Sequence, residues 1–245
     1  MNVENDGSNA RNYKLLHAQN ILRPQLKFED KIDNSNNPAP LKIKVKPNAK
    51  VPLNVIDDVD ESGNQTNMEK YVYHPYQYEI EHIDYPERIF TIQEPIMPKD
   101  YDQTPFTFVD TKEEFMKMIE KLNKATEIAV DLEHHDYRSF QGFTCLVQIS
   151  TREEDWVVDA LALRSLMYHL NESFTNPNIV KVFHGAESDI VWLQCDFGVY
   201  VVNLFDTYHA SHLLNYSQHS LAYLLKFLVN FDADKKYQLA DWRIR

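Results

Sequence analysis

The sequence predicts an α/β domain, a mixed sheet with helices on its faces, preceded by an extended proline-rich arm. Three observations predict it. Composition changes near residue 105: ten of the eleven prolines lie at or before Pro105, and proline's fixed φ and missing donor keep regular elements out of that stretch. Beyond it, short apolar runs of strand length are interspersed with amphipathic helical ones. Two early strands have no helix between them, and strands then alternate with helices, a pattern that mixes antiparallel and parallel pairing.

Each element follows from its residues. Residues 1–69 read as a linker or disordered segment, most strongly over 33–66, which are rich in Asn, Pro, Asp and Ser. Within it Lys42, Lys44, Lys46 and Lys50 form a basic stripe with no acidic residue between Asp33 and Asp57. The stripe reads as a solvated tail, or as a contact for RNA or an acidic partner. Residues 70–105 carry Tyr71, Tyr73, Tyr76, Tyr78, Tyr85 and Phe90. So many aromatics rarely stay in water, which predicts an extended arm lying over the following domain. The domain itself spans residues 106–245. Phe106–Asp110 reads as a strand, and Thr111 with Glu114 as a capping box opening a helix to about Lys124. Ile128–Glu133 is a buried strand ending in charge; Cys145–Ser150 and Trp156–Asp159 are two more. A helix over Leu161–Leu170, a strand over Ile179–Phe183 and a helix over Ala186–Asp196 closed by Gly198 follow. Val201–Phe205 is the last strand, and Asp206–Leu214 and Ser220–Val229 the last helices.

The 245 residues allow one good-sized domain plus an extension. With 37 acidic against 25 basic residues the net charge is −12. That argues against a protein coating nucleic acid through a basic surface, though not against an enzyme gripping it through bound metal. No apolar run reaches the roughly 18–20 residues of a membrane span, so no membrane partner is expected, and the N-terminus lacks the apolar stretch of a signal peptide. Two cysteines are too few for a disulfide framework or a four-thiolate zinc site, and a reducing intracellular setting is the default.

The chemistry gathers at two strand ends. Asp131 and Glu133, two apart on a strand, share a face, at the sheet edge where sites form in α/β folds. Asp189 follows the strand Ile179–Phe183 and the turn His184-Gly185, in the first turns of a helix near the same edge. Alone, the first pair reads as an exposed strand end and Asp189 as a carboxylate favoured by the helix dipole. Together they read as a site for hard cations such as Mg²⁺, which prefer carboxylate oxygens. Three such ligands suit a two-metal phosphodiester hydrolase.

Three segments then carry a resemblance: AVDLEHHDYRSF, VFHGAESDIVWLQCDFGVYVVNLFDTYHAS and HSLAYLL with KKYQLADWRIR. They resemble the RNase D-type exonucleases of the DEDD superfamily, with the greatest likeness to the catalytic exoribonuclease subunit of the eukaryotic nuclear RNA exosome. The resemblance covers residues 107–245 strongly and implies an RNase H-like sheet. It implies a 3′→5′ hydrolytic exoribonuclease using two divalent ions, Mg²⁺ or Mn²⁺, and releasing nucleoside 5′-monophosphates from single-stranded RNA 3′ ends. An exosome core partner, a nuclear and nucleolar location, and rRNA 3′-end processing and RNA surveillance are implied with it. By motif, Asp131, Glu133 and Asp189 are the metal ligands. Trp192, one turn after Asp189, is either a contact for the terminal base or a core tryptophan, and His134 lies along the terminal nucleotide. His184 orients a ligand or is structural, and Asp206 reads as an N-cap. Lys235, Lys236, Trp242 and Arg243 could meet phosphates or form surface ion pairs. His209, His212 and His219 show no metal-ligand pattern.

The family's third motif, a tyrosine and an aspartate four residues later, has no counterpart here: Tyr223 has Phe227 at that spacing. The resemblance therefore implies an incomplete exonuclease domain that is poorly active alone and is not expected to bind the small cofactor protein of the full-length enzyme. A non-catalytic RNA- or exosome-binding module, carried by the lysine stripe and aromatic arm, is the alternative. A DNA proofreading exonuclease would share the carboxylates, and only the resemblance favours RNA.

Overall fold

The computed structural model describes residues 21–32, 34–35, 41–53, 74–100, 102–137, 139–234, 236–237 and 240–245. Six strands form one sheet: β1 (Phe106–Val109), β2 (Glu127–His135), β3 (Phe143–Ser150), β4 (Asp155–Asp159), β5 (Val180–Phe183) and β6 (Leu204–Asp206). Their order is β1-β4-β3-β2-β5-β6. The β2–β3 and β3–β4 pairs are antiparallel; β1–β4, β2–β5 and β5–β6 are parallel.

Strand alternation gives β2 a buried row, Ile128, Val130 and Leu132, and an opposite row, Ala129, Asp131 and Glu133, that is left accessible. The buried row meets Val147 and Ile149 of β3 and Trp156 and Val158 of β4 in one apolar core. A helix over Lys112–Leu122 covers it with Phe115, Met118, Ile119 and Leu122, at the 3–4 residue spacing of one helical face. Thr111 Oγ1 accepts from the Glu114 amide and donates to the Glu114 carboxylate at 2.9 Å. Thr111→Ala should cost about 1 kcal/mol, read as a lower denaturation midpoint with an unchanged slope.

Three elements differ from expectation, each for a local reason. The helix expected over Leu161–Leu170 is a 3₁₀ helix, Arg164–Leu170, followed by one α turn, Asn171–Phe174. Asp159 Oδ1 accepts from the amides of Leu161 and Ala162, a local turn that delays the helix. The strand expected over Val201–Phe205 begins only at Leu204. The Val202 amide bonds to the Phe174 carbonyl, and Asn203 takes φ 62° before pairing starts. The helix after β5 is regular over Glu187–Trp192, then widens into a π turn, Leu193–Phe197, that ends at Gly198 with φ 63°. Two further helices, Thr207–Leu213 and Leu221–Val229, follow β6. Among the described residues no helix is long and apolar enough to cross a membrane.

Part of the segment expected to be linker lies against the domain. Lys42 pairs with Asp30 at 2.5 Å, and Arg164 bridges Asp30 and Asp196 at 3.1 and 3.0 Å. Lys46 pairs with Glu79 at 2.8 Å, both side chains about 5% exposed or less (5% and 4%), and Lys50 pairs with Asp84 at 2.7 Å. Three of the four stripe lysines are thus engaged within the chain, because acidic partners distant in sequence fold onto them. For these three lysines both readings, a solvated tail and a free contact for RNA or an acidic partner, are corrected accordingly.

The aromatic arm carries a short helix, Gln77–Glu81, and a 3₁₀ turn, Glu87–Phe90. Tyr76 is fully buried against Tyr200, its hydroxyl donating to the Pro47 carbonyl. Arg88 donates to the carbonyls of Thr126 and Asn178. Tyr71 and Tyr73 lie outside the described residues.

Candidate active site

Asp131 and Glu133 project from the accessible face of β2. Gln148 stands opposite Asp131 on β3. Its Nε2 donates to Glu133 Oε1 at 3.0 Å and, more weakly, to Asp131 Oδ2 at 3.4 Å. One step on, the ladder slips between Glu133 and His134, leaving Cys145 as the extra residue on β3. A bulge of this kind turns the strand end and re-aims its side chains. Asp189 enters from the neighbouring element: β5 runs parallel to β2, its chain turns at Gly185 with φ 71°, and Asp189 sits 7% exposed in the first turn of the helix Glu187–Trp192.

Asp131 acts on both other carboxyls, and Asp189 acts on Glu133. Burial pushes the Glu133 carboxyl up to about 7, and the charges of Asp131 and Asp189 push in the same direction. Burial likewise pushes Asp189 to about 7, aided by Asp131, Asp206 and Glu187. Asp131 is raised by the walls that displace its water, with His184 acting against the shift. Among the described residues, the one basic side chain that bears on these carboxyls is His184, and it bears on Asp131 alone. An all-oxygen donor set that repels itself fits a hard divalent cation, whose charge offsets the repulsion. The donor chemistry therefore fits the expected metal.

Among the described residues, one group of three ligand atoms gathers within 4.8 Å, and it is a different one: Glu187, Asp206 and His209. His209 Nε2 and Glu187 Oε1 are 3.0 Å apart on exposed side chains. The oxygens of Asp206 already accept three backbone amides. This group is satisfied without a metal.

The remaining residues singled out by sequence fall in varied places. The rings of His134 and Trp192 stack on each other, centroids 4.2 Å apart and planes 5° from parallel. Trp192 is also partly packed on the core, so both readings of it describe part of its surface. Gly142 makes room for the pair, since a Cβ there would lie 2.1 Å from His134 Cε1. His184 Nδ1 lies 2.9 Å from Thr207 Oγ1. Asp206 caps its helix by accepting from the Tyr208 amide at 2.8 Å. Lys236 is exposed beside Asp234, while Lys235 lies outside the described residues.

Arg243 corrects an expectation: it is 7% exposed, and its guanidinium donates to Asp241 at 2.8 and 2.6 Å. It is buried and paired rather than presented to phosphate. Tyr223 bonds to Ser217 at 2.8 Å and stacks on Phe227. Sequence reading missed Gln148; its signal is its place opposite Asp131, which requires knowing the strand register. His212 and His219, which show no ligand spacing in sequence, stack on each other with centroids 3.5 Å apart.

A mixed sheet with an acidic edge of this kind defines a class, and the chain belongs to it: the 3′-5′ exonuclease family, whose model matches residues 106–245. The fold is RNase H-like, and it is similar to the catalytic core of RRP6 from Trypanosoma brucei, with a TM-score of 0.76 and 43% identity over 92% of this chain and 58% of that one. The chain is 53% identical over 233 residues to the exosome complex exonuclease RRP6 of Saccharomyces cerevisiae, covering 93% of this chain and 31% of the relative. It is 49% identical over 259 residues to human exosome complex component 10, covering 96% of this chain and 29% of the relative. The chain thus spans about three tenths of the length of these curated relatives.

Proposed function

We propose that this chain carries the catalytic face of a metal-dependent 3′→5′ exoribonuclease that works with the nuclear RNA exosome. The observation that carries the proposal is geometric: Asp131 and Glu133 stand on the accessible face of β2, and Asp189 in the first turn of the helix that follows the adjacent parallel strand β5. These residues would hold two divalent ions, Mg²⁺ or Mn²⁺. Bound there, the metal supplies an activated water and screens the charge of the phosphate and the leaving 3′-oxygen. Gln148 orients Glu133 by donating to it, which leaves the carboxylate's other oxygen free to ligate. The stacked His134–Trp192 pair offers a flat surface to the last base, since any base can stack on an aromatic face. Lys236, exposed beside Asp234, would meet the strand's phosphates, and bound cations would explain how an acidic chain holds a polyanion.

The relatives' names place them in the exosome complex, one as its exonuclease, and we take RNA and the exosome core as this chain's partners. We extend that to single-stranded 3′ ends, to nuclear and nucleolar rRNA 3′-end processing and RNA surveillance, and to nucleoside 5′-monophosphate products. Residues 106–245 act as the exonuclease domain and residues 70–105 as the arm before it, anchored through Tyr76 and Arg88 while Tyr78, Tyr85 and Phe90 stay exposed.

The test uses single-turnover conditions, where slow hydrolysis is still visible. A single-stranded RNA with a free 3′-hydroxyl should shorten one nucleotide at a time in Mg²⁺ and release 5′-monophosphates. The same RNA ending in a 3′-phosphate should resist, and chelation should stop the reaction. Internal cleavage, or hydrolysis indifferent to chelation, would sink the proposal.

A further inference from the structure

We infer that Asp206 is a positioning residue for Asp189, holding the turn that aims this carboxylate at its metal. The inference rests on the reading of Asp131, Glu133 and Asp189 as metal ligands and adds a residue outside that set. The helix bearing Asp189 starts without a cap of its own: its N-cap residue is Ala186, which has no side-chain acceptor. Uncapped amides leave a first turn loosely held, and Asp189 lies in that turn.

What holds the start of this helix comes from the next strand, at the two residues just before it. β6 runs parallel to β5, with Phe183 and Asp206 in register. Just beyond this pair, Asp206 Oδ1 accepts from the Gly185 amide at 3.0 Å and Oδ2 from the Ala186 amide at 2.8 Å. Thr207 extends the hold. Its hydroxyl donates to the Phe183 carbonyl at 3.0 Å, so it accepts from His184 Nδ1 at 2.9 Å. One strand end thereby fixes every residue from Phe183 to Ala186, ending three residues before Asp189. Gly185 supplies the φ of 71° that the turn needs. Nothing crowds its Cβ position more closely than Glu187 at 3.9 Å, so backbone conformation rather than space is what glycine provides. The turn's shape is therefore set from outside the turn, by Asp206 and Thr207.

The test is Mn²⁺ binding by the whole chain, read as free Mn²⁺ by electron paramagnetic resonance, with thermal unfolding alongside. Asp206→Asn keeps one oxygen, in the place of Oδ1, for the Tyr208 and Gly185 amides but sets an amino group against the Ala186 amide of the turn. It should bind Mn²⁺ about tenfold more weakly, the usual scale for residues that orient ligands. Two control variants isolate the contribution of the turn. Glu187→Gln removes a second charge that acts on Asp189 and a member of the Glu187–Asp206–His209 group, without touching the turn. Ser220→Ala removes a helix cap of the same kind from Leu221–Val229. Both should bind Mn²⁺ as the wild type does.

The inference is overturned if Asp206→Asn keeps wild-type affinity while losing no more stability than Ser220→Ala; Asp206 is then a cap alone. It is overturned equally if Glu187→Gln loses as much affinity as Asp206→Asn, since charge or direct ligation then accounts for the loss. If Asp206→Asn does not fold, Thr207→Val carries the same test, with weaker Mn²⁺ binding than the wild type expected and wild-type affinity overturning the inference. Asp131→Asn separates the two levels. Mn²⁺ binding that this variant leaves intact removes the metal reading itself, and the inference with it. Weakened binding in Asp131→Asn with none in Asp206→Asn removes the inference alone.

Discussion

Without metal at about pH 7.5 the Asp131→Asn chain should unfold at a higher temperature than the wild type, and added Mg²⁺ should no longer stabilise it. The reason is that burial, and next to it the charge of Asp131, raises the other two carboxyls. Glu133 and Asp189 have ordinary values of 4.5 and 3.8 and are each pushed to about 7 in the folded chain. The unfolded chain gives up these protons first, so from about pH 4 to about pH 7 the folded state binds more protons and its stability falls as pH rises. Below that window all three groups are protonated in both states and the effect vanishes. Removing the Asp131 charge relieves both neighbours. Partial exposure screens the gain, so we expect about 1–2 kcal/mol, or about 2–4 °C per kcal/mol for a chain of this size.

The pH profile of the difference between variant and wild type is the sharp readout, because other titrating groups cancel. It should be near zero at about pH 4 and largest above about pH 7. A variant less stable than wild type at every pH would show that Asp131 is held by attractive contacts instead, and the cation site would lose its physical basis. The same substitution should reduce RNA hydrolysis by on the order of 10³-fold or more, since it removes one member of a unit that acts together. A gain in stability with a loss of activity is the expected signature of a site selected for chemistry rather than for folding.

How far the sequence reaches depends on the distance over which a feature is decided. Asp131 and Glu133 are legible because period-two alternation is local: an apolar strand that ends in two charges two residues apart places them together on the face opposite the core. Asp189 is legible because a strand, Gly185 and an acidic helix start lie within a few residues. The capping role of Thr111 is legible for the same reason. The structure then adds what depends on pairing. Gln148 stands beside Asp131 only because β2 and β3 are in one register, and Asp206 reaches Gly185 only because β6 lies beside β5. The expected strand starts late, after Asn203, because its neighbour Val202 bonds to the Phe174 carbonyl, a choice made by packing rather than propensity. Arg243 reads as a surface charge until its partner two residues away, Asp241, is seen buried with it.

The widest gap between sequence and structure is the pair Lys46–Glu79, and it yields the other large effect. Two charged residues 33 positions apart, in stretches read as linker and arm, give no sequence sign of meeting. In the fold Glu79 Oε1 accepts from Lys46 Nζ at 2.8 Å and from the amides of Lys50 and Val51 at 2.7 and 3.1 Å. Lys46 Nζ also donates to the Val51 carbonyl at 2.9 Å and lies 5.1 Å from the centre of the buried Tyr76 ring. Burial alone would raise the Glu79 carboxyl, but the lysine and the amides outweigh it and hold the group below its ordinary range.

Glu79→Ala would strand the ammonium and two amides away from water, which costs about 3–5 kcal/mol when one partner of a buried pair is removed. The Lys46→Met and Glu79→Leu double variant should recover much of that loss, because no charge is then left unpaired. The sign with pH follows from the depressed carboxyl: the pair's contribution is present above the ordinary carboxylate range and is lost as acid protonates Glu79 in the folded state. This window lies below the one set by Asp131, Glu133 and Asp189, so the two effects separate on one pH series. Urea unfolding of the single and double variants measures the first claim. A single variant within about 1 kcal/mol of wild type would mean that residues 41–53 can leave the domain at little cost, and that the arm is held by Tyr76 and Arg88 instead.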